Sequence, residues 1–388
     1  MGVLDRTLEL IKSRRENILS DKVNCIPSPF NRFGDIPGIE RGKYILISAA
    51  TKGGKTQLMS YFCLFNSVIY AYEHPDQVHI KIFYYNLEET EETITMRFMS
   101  HLLYKYIGER ISPTKLQSTV EALDEHILEA LKDPNIANIL KFYEEHVIFS
   151  PKSNPTGINI ELDEYAKAHG TKHFKELRYK DKDNNEVVRK KFDYYEPDDP
   201  LEYVMAIVDH VSLISTERGM DVRESIVALS KNMVALRNMY KIIPIIVQQQ
   251  STETTSLDAF KSNKIRPSVA GLADGKYTSR DCNIMLGLTN PFAFEKTEYL
   301  GYDITKLNKY CRFLEVVINR DGEANGIAPL FFDGAVCEFK ELPKSKDEAS
   351  LKKVYTYINK LLNESVKPQA SSTLFVMLNK VLNKVFHN

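Results

Sequence analysis

The chain has 388 residues, 43% hydrophobic and 27% charged, which allows one large domain with additions or two modest ones and a sizeable core. Lys and Arg number 51 against 52 Asp and Glu, a formal net charge of −1, so a strongly basic nucleic-acid coat is excluded and any nucleic-acid contact must come from a local cluster, such as loops lining a channel. No run of about 18 apolar residues occurs, so no membrane-spanning helix is expected.

The N-terminus, MGVLDRTLELIKSRREN, is amphipathic and charged rather than signal-like, and Arg6 stands where a myristoylation signal needs Ser or Thr. Leu4, Leu8, Ile11 and Ile18 space a helix over 4–19. A loop with Pro27, Pro29 and Pro37 follows, then a buried strand over 44–49, a helix over 55–72, a strand over 80–86 and a helix over about 90–106. Helices with short breaks fill 113–145, followed by a strand at 147–150 and a helix over 161–170 that ends at Gly170. Residues 173–196 alternate basic and aromatic residues around a turn-like KDKDNNE and read as an inserted β-hairpin. Core strands are expected at 203–209 and 242–248, with an amphipathic helix over 222–240 between them and a polar loop over 251–265 after them. Strands at 283–288, 312–319 and 328–333 complete the list, and two amphipathic helices, about 347–363 and 372–386, close the chain. Strands alternating with helices predict an α/β fold with a sheet that is largely parallel in its first half. Cys25, Cys63, Cys282, Cys311 and Cys337 are scattered without a CxxC pair, which suits free thiols in a reducing compartment rather than a metal site.

The strongest local signal is Ala49-Ala50-Thr51-Lys52-Gly53-Gly54-Lys55-Thr56, between a strand and a helix. It fits the P-loop pattern with Ala in place of the first Gly. Small residues let successive backbone N–H groups cradle phosphate oxygens, and the helix start adds positive potential. Lys55 is expected to reach the β- and γ-phosphates of ATP, and the Thr56 hydroxyl to hold Mg²⁺. An acidic residue on a neighbouring strand must help order the metal, and Asp209 ends the apolar run YVMAIVD. Glu88 ends the strand after the P-loop helix. Its residue type suits a base that orients water and equally a helix N-terminal charge, since Thr90 and Glu91 follow.

In this order the pieces resemble the DnaB family of hexameric replicative helicases over roughly 24–340. Gly38 to Gly42 is similar to the family's approach to its first core strand. Asn86-Leu87-Glu88-Glu89 with Arg97 resembles the family's SLE segment and downstream arginine, which makes Glu88 the catalytic glutamate. Asp209 falls on the Walker B aspartate, and Gln249 on the glutamine that senses the γ-phosphate, with Gln248 and Gln250 on either side leaving the register open by one. Arg266-Pro267 and Asp281-Cys282-Asn283 resemble the RP…QDAD stretch, Asn319-Arg320-Asp321-Gly322 the QRNG segment, and Phe332-Asp333-Gly334 the closing FDG. Arg320 then matches the arginine finger that completes a neighbour's site. The family's basic residue two positions earlier is Ile318 here.

The resemblance implies a RecA-like P-loop core (31–342, with an insertion at about 171–200). It also implies an N-terminal linker helix and loop (1–30), while the insertion and the helical extension (343–388) have no match in the family's core pattern, and the family's N-terminal scaffold domain has no counterpart. It implies ATP-driven translocation on single-stranded DNA in a homo-hexamer, with primase, polymerase or other replisome partners, in a bacterial cytoplasm if the protein is phage-encoded. DNA contacts would come from the loop Ser215 to Arg223, with Arg218 and Arg223, and from Lys261, Lys264 and Arg266. A non-translocating RecA-like ATPase and a partner-docking protein with a degenerate ATPase are the other readings. The hairpin, with Tyr179, Lys180, Lys182, Arg189, Lys190, Lys191, Phe192, Tyr194 and Tyr195, suits single-strand binding, a solvated ribbon or a partner.

Overall fold

The computed structural model describes residues 2–180, 182, 185–251, 265–324 and 326–364. The first elements are helix α1 (Val3–Leu19) and a short antiparallel pair, β1 (Ile26–Pro27) with β2 (Gly38–Ile39). Then come β3 (Ile45–Ala49), α2 (Lys55–Met59), a π-helical stretch (Ser60–Phe65), α3 (Asn66–Glu73), β4 (His79–Asn86) and α4 (Glu91–Leu102). Short helices α5 (Pro113–Leu116) and α6 (Glu125–Leu131) lead to α7 (Pro134–His146), β5 (Val147–Phe149) and α8 (Pro155–Ala168). The hairpin β6 (Gly170–Lys180) and β7 (Glu186–Pro197) precedes β8 (Glu202–Asp209), α9 (Val222–Tyr240) and β9 (Ile243–Gln249). The remaining strands are β10 (Ile284–Thr289), β11 (Glu298–Tyr299), β12 (Tyr302–Asp303), β13 (Cys311–Asn319), β14 (Ile327–Asp333) and β15 (Glu338–Glu341). A last described helix covers Glu348–Glu364.

Nine strands form the central sheet in the order β15-β14-β13-β10-β3-β9-β8-β4-β5. From β10 to β5 the strands are parallel, and β13, β14 and β15 add an antiparallel flank. A sheet buried on both faces needs strands that are apolar throughout, and β3 is buried at every position. Alternation sends Ile45, Ile47 and Ala49 into one core with Leu58, Phe62, Phe65 and Phe98. Tyr44 and Leu46 enter the other core, with Leu162, Leu229 and Met233 of α8 and α9. The sheet is therefore a mostly parallel α/β layer with helices on both sides.

Local chemistry sets several boundaries. Asp221 and Glu224 form a reciprocal capping box that starts α9. The helix expected to begin at 161 begins at Pro155, six residues earlier, because proline is pre-organised for a helical first turn. Gly170 does not end it: the helix stops at Ala168, and Gly170 opens β6 under the Tyr195 ring, where no Cβ fits. The helix expected over 55–72 is continuous in position but π-helical in the middle. Sequence periodicity missed β15 and the two-residue pairs. The tail helix forms as Glu348–Glu364, and the second, 372–386, lies outside the described residues.

The antiparallel flank is locked to the helical layer by one ion pair. Arg110 donates to both oxygens of Asp333 at 2.6 and 2.9 Å, and Asp333 is wholly buried. Removing one partner of such a pair strands a buried charge, at about 3–5 kcal/mol. Arg110→Met is therefore expected to lower unfolding stability by roughly that amount in urea titrations. A loss below about 1 kcal/mol would show that Asp333 finds water or another donor instead.

Candidate active site

The parallel strands deliver their carboxyl ends to one edge, and the residues singled out in the sequence gather there. After β3, Gly53 N–H donates to the Ala50 carbonyl at 2.9 Å, folding the loop back on itself. A Cβ on Gly53 would meet that carbonyl oxygen at 2.8 Å, and Gly54 caps α2 at φ +99°, so both positions require glycine. The loop then runs into α2 with the side chains of Lys55 and Thr56 turned toward β8 and β4.

Thr56 Oγ1 donates to Asp209 Oδ1 at 3.3 Å, and Tyr84 Oη donates to Asp209 Oδ2 at 3.2 Å. Lys55 Nζ lies 3.8 Å from Glu88 Oε2, with only 12% of the lysine side chain exposed. The two adjacent glutamates separate in role. Glu89 is held in a two-pronged pair by Arg97 at 2.8 and 2.7 Å, whereas Glu88 is half open to solvent and faces Lys55. The three glutamines ending β9 also separate. Gln248 turns to the Gly275 carbonyl, and Gln250 donates to Ser48 Oγ at 2.7 Å. Gln249 alone of the three reaches the loop, donating to Thr51 Oγ1 at 2.7 Å while His210 Nε2 lies 3.2 Å from its other amide atom.

Asp209 is buried, and desolvation pushes its carboxyl up to about 6; the nearby Glu89 and Glu88 add to the rise, and Lys55 and Thr56 oppose it. The Thr56 hydroxyl and the Asp209 carboxylate together form a hard-oxygen pair, the donor chemistry that suits Mg²⁺.

Sequence reasoning missed Arg312. It is buried near the start of β13, its Nε donates to the Gly53 carbonyl at 2.7 Å, and its guanidinium lies 4.4 Å from the Phe332 ring centroid. Burial lowers its pKa to about 10. The signal that could have exposed it is a charge inside the otherwise apolar start of a strand, Cys311-Arg312-Phe313-Leu314.

Other expected residues lie elsewhere. Arg320 sits at the opposite edge of the sheet, where β13 ends beside the start of β10. Its Nε donates to the Cys282 carbonyl at 2.7 Å, and its Nη2 to that of Arg280. Arg218 is exposed on the segment between β8 and α9, and Arg223 is exposed in the first turn of α9. Arg266 pairs with Glu315 at 3.2 Å and lines a cavity of about 180 Å³ with Ala50, Thr51 and Asn290. Lys261 and Lys264 lie outside the described residues. No described helix is long and apolar enough to cross a membrane.

Asp209 gives this site a measurable signature. A carboxyl raised in the folded state favours the native protein while protonated, and that stability is lost as pH rises through about 6. Asp209→Asn, in EDTA, is therefore expected to exceed the parent's stability by up to about 3 kcal/mol at pH 7. The gap should close between pH 6 and 4 in denaturant titrations. A gap that does not change with pH would contradict this electrostatic account.

No family model matches the sequence, and no curated protein matches it. Solved structures do match in fold. The structure of a DnaB-like replicative helicase, described with its interactions with primase, superposes with a TM-score of 0.56 at 14% identity, covering 87% of this chain and 67% of that one. A KaiC-like protein from the archaeon Pyrococcus horikoshii OT3 covers 83% of this chain and 99% of its own at 10% identity, with a TM-score of 0.42. On its mostly parallel nine-stranded sheet and the first of these superpositions, the chain has the RecA-like fold of a DnaB-like replicative helicase.

Proposed function

We propose that this chain is an ATP-dependent DNA helicase of the DnaB-like type, translocating on single-stranded DNA during replication. The observation that carries the reading is the convergence of Lys55, Thr56, Glu88, Asp209 and Gln249 around one glycine-requiring loop. In this reading the loop amides and Lys55 bind the β- and γ-phosphates of ATP, and Thr56 and Asp209 hold Mg²⁺. The metal supplies charge neutralisation at the phosphate oxygens. Phosphate competes with Glu88 for Lys55, so the ion pair that orders the side chains also releases the carboxylate. Glu88 then takes a proton from the attacking water, and Gln249, tied to Thr51, reports the terminal phosphate to the segment that follows β9.

Arg320 lies at the far edge from its own P-loop, so a role in hydrolysis belongs to the site of a neighbouring subunit. A homo-hexameric ring in which each subunit lends Arg320 to its neighbour completes this reading. Helix α1 fits the same picture. It buries none of its own residues, and Leu4, Leu8, Ile11 and Ile18 remain exposed for a neighbouring copy. DNA contacts are assigned to Arg218 and Arg223 and to Lys261, Lys264 and Arg266, with primase or other replisome proteins as further partners.

Lys55→Ala is expected to abolish ATP hydrolysis and unwinding of a forked duplex. Glu88→Gln should keep nucleotide binding and lose about 10²–10⁴-fold in kcat. Hydrolysis stimulated by single strands without any unwinding would point instead to a non-translocating RecA-like ATPase. Arg320→Ala should also be inactive alone. Mixed with Lys55→Ala subunits it should regain activity, because some interfaces then pair an intact loop with an intact arginine. Mixtures no more active than the separate variants would remove Arg320 from the mechanism.

A further inference from the structure

The hairpin β6–β7 is not used by the ATPase reading, and its chemistry points elsewhere. Residues 174–192 carry seven Lys and Arg against four Asp and Glu, in a chain whose net charge is −1. The ribbon is fixed at its base. Tyr195 Oη donates to the Ala166 carbonyl at 2.8 Å and its ring meets Tyr240 edge-on, while Arg6 of α1 grips Asp193 and covers the Tyr194 ring at 4.8 Å. A two-stranded hairpin is marginal alone, so these anchors supply the stiffness that its own length does not. From Phe174 outward, about 20 Å of ribbon projects from the body.

Pairing places Lys175 directly opposite Lys191, Leu177 opposite Arg189 and Tyr179 opposite Val187 on one face. Like charges facing across a ladder are unfavourable unless an anion lies between or beside them. Asp193 answers Lys175 at 2.8 Å. Glu176, opposite Lys190, pairs with Arg178 instead. Arg189, Lys190 and Lys191 are thus three consecutive cations in no ion pair with a described residue, and Arg189 lies over the Tyr179 ring at 5.9 Å. Lysine on an exposed ribbon can serve only to block edge pairing. That role does not account for the apolar surface shown with it, where Phe174 is 57% and Tyr179 42% exposed. Cations to hold phosphates beside open aromatic rings to stack bases are the combination that recognises single strands.

We propose that this ribbon is a single-stranded nucleic-acid binding element outside the ATPase core that the strand wraps, with Arg189 and Lys191 on the phosphates and Tyr179 under a base on one face, and Lys190 on a phosphate and Phe174 under a base on the other. It does not depend on the P-loop reading. The test uses the full chain without nucleotide and the anisotropy of a fluorescein-labelled oligothymidine of about 20 nucleotides. Charge reversal, R189E with K190E and K191E, should weaken binding at least about tenfold and flatten the slope of log affinity against log salt by about 2, three single-strand contacts' worth. Phe174→Ala and Tyr179→Ala should each weaken binding about tenfold and leave that slope unchanged. If charge reversal disturbs the ribbon's circular dichroism, the corresponding triple Gln variant carries the same test. Unchanged affinity and slope in the triple variant would overturn the proposal. So would a duplex that binds as tightly while the aromatic variants are silent, or polyglutamate that competes as well as DNA, which would mark a docking surface for an acidic protein. Lys55→Ala should lose hydrolysis and keep this binding, so the failure of one reading is visible apart from the other.

Discussion

Everything at the candidate site depends on where β3 lies. It is a five-residue strand, buried on both faces, with β9 on one side and β10 on the other. A parallel sheet points all its carboxyl ends one way, so the loop leaving β3 emerges at the centre of that edge. Its neighbours then bring Gln249, Asp209 and Glu88 to it in strand order. The loop can turn back only because Gly53 has no Cβ to meet the Ala50 carbonyl, and because Gly54 accepts a left-handed conformation. Arg312 reaches the same loop from β13 and holds the Gly53 carbonyl. The antiparallel flank thereby braces the loop.

The electrostatics follow from burial rather than from net charge. Asp209 is desolvated near two glutamates, an arrangement that costs stability in the isolated chain. Arg97 pairs with Glu89, and Lys55 faces Glu88. Two adjacent carboxylates, identical in type, are thus divided into one held in a two-pronged ion pair and one half open to solvent beside Lys55. Under the proposed function, a buried carboxyl beside a lysine at a glycine-requiring loop suits a cation and an anion together, such as a metal-bound phosphate.

Much of this was legible in the sequence, for identifiable reasons. Apolar runs such as YILISA and YVMAIVD are long and unbroken, so strands and their parallel packing were readable. The glycine pair before Lys55 and Thr56 marked the loop. The hairpin was visible in its alternation around a polar turn. Other features depend on tertiary partners and left no local trace. Nothing in Val247-Gln248-Gln249-Gln250 says which amide faces the loop; that choice comes from Ser48, Gly275 and Thr51 competing for the three side chains. Local sequence left Glu88 a base or a helix charge, and only the family resemblance singled it out; in the structure Arg97 folds back onto Glu89. Arg312 sat unnoticed in an apolar strand, and Gly170 was misread as a helix stop because its real constraint is the Tyr195 ring packed against it.

The central claim is that the loop around Lys55 grips a triphosphate with a metal between Thr56 and Asp209. Isothermal titration of the full chain with a non-hydrolysable ATP analogue tests it most directly, run with Mg²⁺ and again with EDTA. The account predicts one site per chain that tightens strongly with Mg²⁺, and a Thr56→Ala variant that loses most of that metal dependence. Absence of binding under both conditions, or binding indifferent to both the metal and Thr56, would contradict it.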